Sequence, residues 1–391
     1  MHLTEANVLI SVVDVVNLTD HNVPHSEITW SRVSMTSDRW ICVRHSKIDS
    51  TKTFRWIVLD QENDYKHISY SGSTVADSVL MHPSEPIIAF KAFKTFQVFN
   101  LDTKSLLCET SHGEKVLFWT WLNSDVIGII TETAICHWFV WKEETSPKKV
   151  LNNHRRLKST QIVSYKADHA MRWLAITGLF EEGNGISGII LVHSVSENLT
   201  QCISAHAVCF AEYHFQDNPY PSNVFCVASR DTRSHGNIHV IELHPYRKGN
   251  LAPKNTCDRI HVDFLDSFGK YDFPTTIQVS SRYGVLFMIT KYSVLYICDM
   301  ETAAPLICSG ISNDIIITAT LNTKTQGILG ISKDGMVIFV NLQKTKFVYK
   351  RKHAVKKNVQ ASLSEEKKIL EVDKMTSDKC QSVHRKTNAS Q

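Results

Sequence analysis

The chain has 391 residues, 43% hydrophobic and 21% charged, enough for a large core in one or two domains. No apolar run approaches the roughly 18 residues of a membrane-spanning helix, and the first residues carry no basic segment, so neither a span nor a signal peptide is expected. The net charge of +4 is unevenly placed: 13 Lys+Arg against 5 Asp+Glu from Gln343 to Gln391 leave 30 against 34 elsewhere, which excludes a broad nucleic-acid footprint on the body.

From the amino terminus, Val8 to Val16 is an apolar stretch interrupted by Ser11 and Asp14. Strand patterns then dominate to about Leu342. A small unit recurs, in which a short apolar strand runs to a turn and a second strand ends in polar residues. Ile87-Ile88-Ala89-Phe90-Lys91 followed by Thr95-Phe96-Gln97-Val98-Phe99 is one instance, and Val224 to Ala228 followed by Asn237 to Ile241 is another. Seven groups start near Ile28, Val75, Val116, Gln161, Val208, Thr276 and Ile315, at spacings of 47, 41, 45, 47, 68 and 39 residues. Units of about 40–50 residues with about four strands each are the mark of a β-propeller. Two β-sandwiches are the competing all-β reading, but regular spacing and the lack of a central linker argue against them. The long fifth spacing holds His244 to Pro253, where two prolines and a glycine would interrupt any strand, so an insertion is expected there. Strand ends carry polar turns, such as Asn100-Leu101-Asp102-Thr103-Lys104, whose side chains bond nearby backbone.

After Leu342 the pattern stops. Lys350-Arg351-Lys352 and Lys356-Lys357 precede a short helical candidate from Ser362 to Lys374, in which Ser362 and Glu365 have capping-box spacing. Few apolar residues follow, so residues 343–391 are expected to form a basic tail that is disordered or at most a marginal helix. The predicted architecture is therefore all-β: a seven-bladed propeller over 1–342, then the tail.

The ten cysteines are scattered from Cys42 to Cys380 without a C-x-x-C pair, so they read as buried free thiols in a reducing compartment. In such a compartment the sequons at Asn17, Asn198 and Asn388 carry no meaning. No phosphate-binding loop, H-E-x-x-H or G-x-S-x-G occurs, and the 19 histidines are dispersed. His137, His206 and His239 read as packed strand residues. The chain is not expected to be an enzyme or to hold a metal or other cofactor.

Several ordered stretches carry a family resemblance. They include Met35 to Arg44, Ala76 to Pro83, Ile88 to Ala92, Lys94 to Asn100, Gln161 to Tyr165, Trp173 to Gly178, Asp272-Phe273-Pro274 and Phe287 to Tyr292. Together they resemble the amino-terminal domain of clathrin heavy chain, collinearly from near Val8 to about Leu342. The resemblance implies a propeller that acts as a hub in vesicle-mediated transport and endocytosis, on the cytoplasmic side of coated pits and vesicles. Its partners would be adaptor proteins carrying short linear motifs, and its contact with membrane would be indirect, through them.

Three peptide sites follow from the resemblance. The groove between blades 1 and 2, which in the family takes a leucine–apolar–x–apolar–acidic peptide, corresponds to Ile88, Phe90, Thr95, Gln97, Phe99 and Lys104. Strand alternation independently puts Ile88 with Phe90 on one face, and Thr95, Gln97 and Phe99 on one face. Gly72 and Leu106 stand where the family has basic residues, and Thr74 where it has an apolar one, so affinity below the family's is expected. A site on top of the propeller, which accepts tryptophan-containing peptides, corresponds to Trp30, Gln161 and Val163. A groove between blades 4 and 5 corresponds to Trp173, Val192 and Gln201, with Glu197 reversing the charge of the family's basic residue. Family members continue into a helical leg, whereas here the basic tail begins, so a monomer without coat-forming activity is expected. The alternatives are a propeller scaffold that binds no peptide and a legless competitor for adaptor motifs.

Overall fold

The computed structural model describes residues 9–48, 53–143, 146–183, 185–231, 235–250, 259–263, 271–301 and 305–343. The helical candidate from Ser362 to Lys374 and the rest of the basic segment lie outside the described residues.

Twenty-eight strands form seven four-stranded antiparallel sheets among the described residues. Strand β1 is Ile10–Asn17. Blade 1 comprises β2 (Val33–Ser34), β3 (Trp40–Ile48), β4 (Thr53–Asp60) and β5 (Ile68–Thr74). Blade 2 comprises β6 (Ser78–Met81), β7 (Ile87–Ala92), β8 (Thr95–Asn100) and β9 (Ser105–Ser111). Blade 3 holds β10 (Val116–Trp121), β11 (Val126–Thr131), β12 (Ala134–Phe139) and β13 (Lys148–Asn152). In blade 4 are β14 (Gln161–Ala167), β15 (Trp173–Glu182), β16 (Gly185–Ser194) and β17 (Leu199–Ser204). Blade 5 has β18 (Ala207–Tyr213), β19 (Ser222–Arg230), β20 (His235–Glu242) and β21 (Arg259–Asp263). Blade 6 has β22 (Pro274–Ser280), β23 (Val285–Thr290), β24 (Val294–Asp299) and β25 (Pro305–Gly310). Blade 7 is built from β26 (Ile316–Leu321), β27 (Ile328–Ser332), β28 (Met336–Leu342) and, as its fourth strand, β1. This is a seven-bladed β-propeller.

The burial pattern follows from stacking blades face to face. The middle strands β11, β23 and β24 are buried at every position, because both of their faces meet a neighbouring blade. Outer strands such as β5 and β9 alternate poorly and are mostly exposed. The core is therefore a ring of interblade clusters. One joins blades 2 and 3 through Phe96, Trp119 and Trp138, and another joins blades 5 and 6 through Cys226, Met288 and Tyr296. The predicted insertion lies between β20 and β21, where residues 243–250 form no strand.

The ring closes through β1. It pairs antiparallel with β28, from Ile10 opposite Leu342 to Asn17 opposite Met336, with a bulge between Asp14 and Val16. The apolar stretch near the start is thus the outer strand of the last blade. Gly335 makes the turn before β28 possible. Its φ is +92°, and a Cβ there would stand 2.6 Å from Ile28 Cδ1. A second link crosses the seam between blades 7 and 1. Buried Asp38 accepts hydrogen bonds at Oδ2 from Gln61 Nε2 (2.6 Å), Asn322 Nδ2 (3.0 Å), Thr323 N (2.8 Å) and Thr323 Oγ1 (3.0 Å). Tyr65, also buried, donates its hydroxyl to the Asp38 carbonyl.

Candidate peptide-binding sites

Blade 2 presents the first set of predicted residues on one face. The β7–β8 register sets Ile88 opposite Phe99, Phe90 opposite Gln97 and Ala92 opposite Thr95. The two pairs read from alternation are therefore adjacent rows of a single surface. That surface meets blade 1. Ile88 is fully buried against Trp40, Trp56 and Met81 and leaves no surface for a ligand to touch. Phe90 and Phe99 are half-buried, with ring centroids 5.8 Å apart, and Phe90 meets the Trp56 indole edge-on at 5.8 Å. Leu106 and Leu107 add exposed apolar surface on β9, with Leu106 directly opposite Phe99.

Polar residues border this face. Gln97 donates through Nε2 to Glu109 Oε2 at 2.7 Å, its cross-strand neighbour on β9. An amide expected to bond a ligand backbone is thus engaged by a carboxylate. Nothing in the sequence pattern singled out Glu109; only the β8–β9 register reveals it. The Trp56 indole lies over Gly72, where a Cβ would come within 2.7 Å of the ring, so there is no room for a longer side chain while the ring keeps this position. Tyr70 Oη donates to Asp102 Oδ1 at 2.7 Å and spans from the outer strand of blade 1 to the β8–β9 turn. Burial, then the Asp102 bond and charge, push the Tyr70 phenol up to about 12. Lys104 ends that turn in the left-handed region, with φ 54°, and is exposed. The amides of Asp102 and Thr103 fix the turn by donating to Asn100 Oδ1, both at 2.9 Å.

Trp30, Gln161 and Val163 come together at the axis. All three line a channel of about 760 Å³ between the innermost strands. Trp30 is 39% exposed, and its indole stacks on Phe118 of blade 3 with centroids 6.3 Å apart and planes at 17°. Val163 falls within the register shift between Ile162 and Ser164, so it bulges from β14.

Trp173, Val192 and Gln201 share a face of blade 4, since Val192 pairs with both Ala175 and Gln201, and Trp173 lies two residues before Ala175. Trp173 and Val192 pack on the interface with blade 5, beside Val208, Phe225 and Leu243. Trp173 Nε1 donates across it to the His244 carbonyl at 2.9 Å. Glu197 is exposed in the turn between β16 and β17.

Of the histidines read as strand residues, His137 on β12 and His239 on β20 are so placed, whereas His206 lies in the turn between β17 and β18. His137 is buried, and its Nε2 shares a 2.6 Å hydrogen bond with the Tyr165 hydroxyl; burial pulls its pKa down to about 4. His206 donates from Nε2 to the Ile186 carbonyl at 3.0 Å, and burial lowers its pKa also. His239 is half-buried on β20. Cys42, Cys136, Cys209, Cys226 and Cys298 are buried free thiols.

No protein-family model matches the chain. It is 31% identical over 324 residues to clathrin heavy chain 2 of Homo sapiens, an alignment covering 83% of this chain and 19% of that protein. Clathrin heavy chain of Drosophila melanogaster is 30% identical over 332 residues, covering 85% of this chain and 19% of that one. Probable clathrin heavy chain 1 of Caenorhabditis elegans is 31% identical over 322 residues, with 82% and 18% covered. The chain spans about a fifth of the length of these curated relatives. Among solved structures, a chain in the crystal structure of the mitotic checkpoint complex matches with a TM-score of 0.53, over 85% of this chain and 90% of that chain. Its 11% identity makes that a likeness of fold alone.

Proposed function

From the fit of this propeller to the amino-terminal propeller domain of the clathrin heavy chains, we propose that it is a peptide-binding hub of the clathrin type. It captures short linear motifs of adaptor proteins in vesicle-mediated transport, on the cytoplasmic side of coated pits and vesicles. Its principal site is the groove between blades 1 and 2. A peptide of the type leucine–apolar–x–apolar–acidic lies extended there, its apolar side chains against Phe90, Phe99 and the Leu106–Leu107 pair. Its acidic end meets Lys104. The observation that carries this reading is the common face of Phe90, Thr95, Gln97 and Phe99, set by the β7–β8 register beside the aromatic wall of blade 1. An extended ligand presents alternate side chains to such a face and offers its backbone to the polar row. The role is binding rather than catalysis.

Binding is weak in this proposal. Glu109 competes for the Gln97 amide and repels an acidic ligand, and Gly72 supplies no charge. A propeller scaffold that has lost peptide binding is the second reading, favoured by the Gln97–Glu109 bond. Titration of a fluorescein-labelled leucine–apolar–x–apolar–acidic peptide by anisotropy separates the two. Saturable binding that is lost in Phe99→Ala and in a scrambled peptide supports the hub. Equal signals from the native and scrambled peptides leave the scaffold.

A further inference from the structure

The mouth of the axial channel carries positive charge that the groove between blades 1 and 2 does not use. Arg32, Arg44, Lys91, Lys158 and Lys166 line it, Lys166 with its Nζ donating to the Val208 carbonyl at 2.9 Å, and Asp77 is the only carboxylate among its lining residues. Two of these cations are already matched: Arg32 pairs with Glu27, and Lys91 Nζ lies 2.7 Å from Asp77 Oδ1. Lys158 is exposed on the segment entering β14.

Arg44 is different. It is only 9% exposed, yet its Nε and Nη1 have no hydrogen-bond partner among the described residues. Its guanidinium is held over the Phe54 ring, with Cζ 4.3 Å from the centroid. Its backbone N–H donates to the Arg32 carbonyl at 2.9 Å, so the two arginines enter the mouth side by side. Burial and the Arg32 charge lower its pKa and Asp77 raises it, but a guanidinium keeps its proton at neutral pH. A buried cation with open donors is costly unless an anion meets it. Nε and Nη1 lie on different edges of the planar group, each edge shared with Nη2, so a carboxylate or phosphate in the channel meets Nη2 and one of them. The exposed Trp30 indole, backed by Phe118, offers an apolar shelf at the same channel.

We propose that Arg44 anchors an anion pocket at the channel mouth, and that this pocket takes an acidic side chain of a peptide whose aromatic residue lies on the Trp30 shelf. The proposal rests on the reading of Trp30, Gln161 and Val163 as a peptide site, and names what that site selects: a negative charge beside the aromatic ring. Lys158 stands at the rim and adds long-range attraction. Glutamate, aspartate and phosphoserine share the required chemistry.

Three labelled octapeptides on the full chain test it: Ser-Gly-Glu-Trp-Glu-Gly-Ser-Gly, the same peptide with both glutamates changed to glutamine, and the same with both changed to phosphoserine. The glutamate peptide is expected to bind ~10-fold tighter than the glutamine one, the scale of a charge-assisted hydrogen bond. Arg44→Gln should bring the two within ~2-fold, and Lys158→Ala, on an exposed segment where folding is not at stake, should weaken the glutamate peptide ~2- to 3-fold. Tighter binding of the phosphoserine peptide than of the glutamate one assigns phosphate as the preferred group. Equal binding of glutamate and glutamine peptides overturns the anion pocket while leaving the peptide site. If none of the three binds, the peptide site falls, and inorganic phosphate decides the pocket. A saturable phosphate-dependent shift of the Arg44 Nε–H resonance, identified by its loss in Arg44→Gln, supports it, and no shift overturns it.

Discussion

Replacing Asp38 by alanine should open the ring at the seam between blades 7 and 1. One carboxylate oxygen there serves Gln61, Asn322 and both the amide and hydroxyl of Thr323. Gln61 is half-exposed and Thr323 exposed, so water can replace their bonds at small cost. Asn322 is 2% exposed and loses a partner that water reaches poorly. A buried donor left unsatisfied costs roughly 1–3 kcal/mol, and a hydrogen bond to a charged acceptor is worth about 1.5–3 kcal/mol, so the loss should be about 2–4 kcal/mol. At roughly 2 °C per kcal/mol, suited to a domain of this size, Tm should fall by about 4–8 °C. Thermal melts by circular dichroism, with Glu132→Ala as an exposed control, measure the first part. Hydrogen exchange measures the second, and protection should fall first in Ile10–Asn17 and Met336–Leu342, the strands that close the ring. An unchanged Tm together with unchanged exchange in those strands would refute the seam argument.

Acidification should destabilise the propeller between about pH 6.5 and pH 4. His137 is held neutral by burial, with its pKa lowered to about 4 in the folded protein, so the unfolded chain binds the extra proton in this window and stability rises with pH. Its contribution is complete above pH 6.5 and shrinks by roughly 3 kcal/mol by pH 4; urea midpoints across the range should show this, with a shallower slope in His137→Gln. Glu109→Gln should tighten binding of a leucine–apolar–x–apolar–acidic peptide, since it removes a like charge and weakens the hold on Gln97; anisotropy titration should read an affinity gain of ~3- to 10-fold, on the scale of one exposed charge contact and one hydrogen bond. Lys104→Glu should weaken the same peptide by a similar factor, and more at low salt than at high. Ending the chain after Gln343 should leave Tm unchanged in a melt, because β1 and β28 close the ring upstream of that point.

Much of the fold was legible because each blade repeats one apolar rhythm. The groups read from sequence start near Ile28, Val75, Val116, Gln161, Val208, Thr276 and Ile315, and the innermost strands begin at Val33, Ser78, Val116, Gln161, Ala207, Pro274 and Ile316. The largest offset is in blade 1, where a turn carrying Trp30 precedes a two-residue strand, and apolar content alone does not separate them. The role of β1 was hidden for another reason. Its partner β28 lies more than 300 residues away, and no local periodicity encodes that pairing. Within the candidate sites, alternation found the residues of each row but not their neighbours across the sheet. Glu109 sits in a strand with an exposed, irregular pattern, so its bond to Gln97 depends on register. The Trp56 ring over Gly72 depends on a rotamer. Arg44 is the middle residue of β3 and follows a run of buried ones, and nothing in its spacing sets it apart until the channel around it is seen.

The central claim is that an extended adaptor peptide lies between blades 1 and 2. A leucine–apolar–x–apolar–acidic peptide carrying a photoreactive benzophenone at its second apolar position tests this most directly, with adducts mapped by mass spectrometry. The account predicts adducts on the segments around Phe90 to Leu107 and Trp56 to Val75, competed away by the unlabelled peptide and lost in Phe99→Ala. Adducts confined to other blades, or labelling indifferent to the competitor, would contradict it.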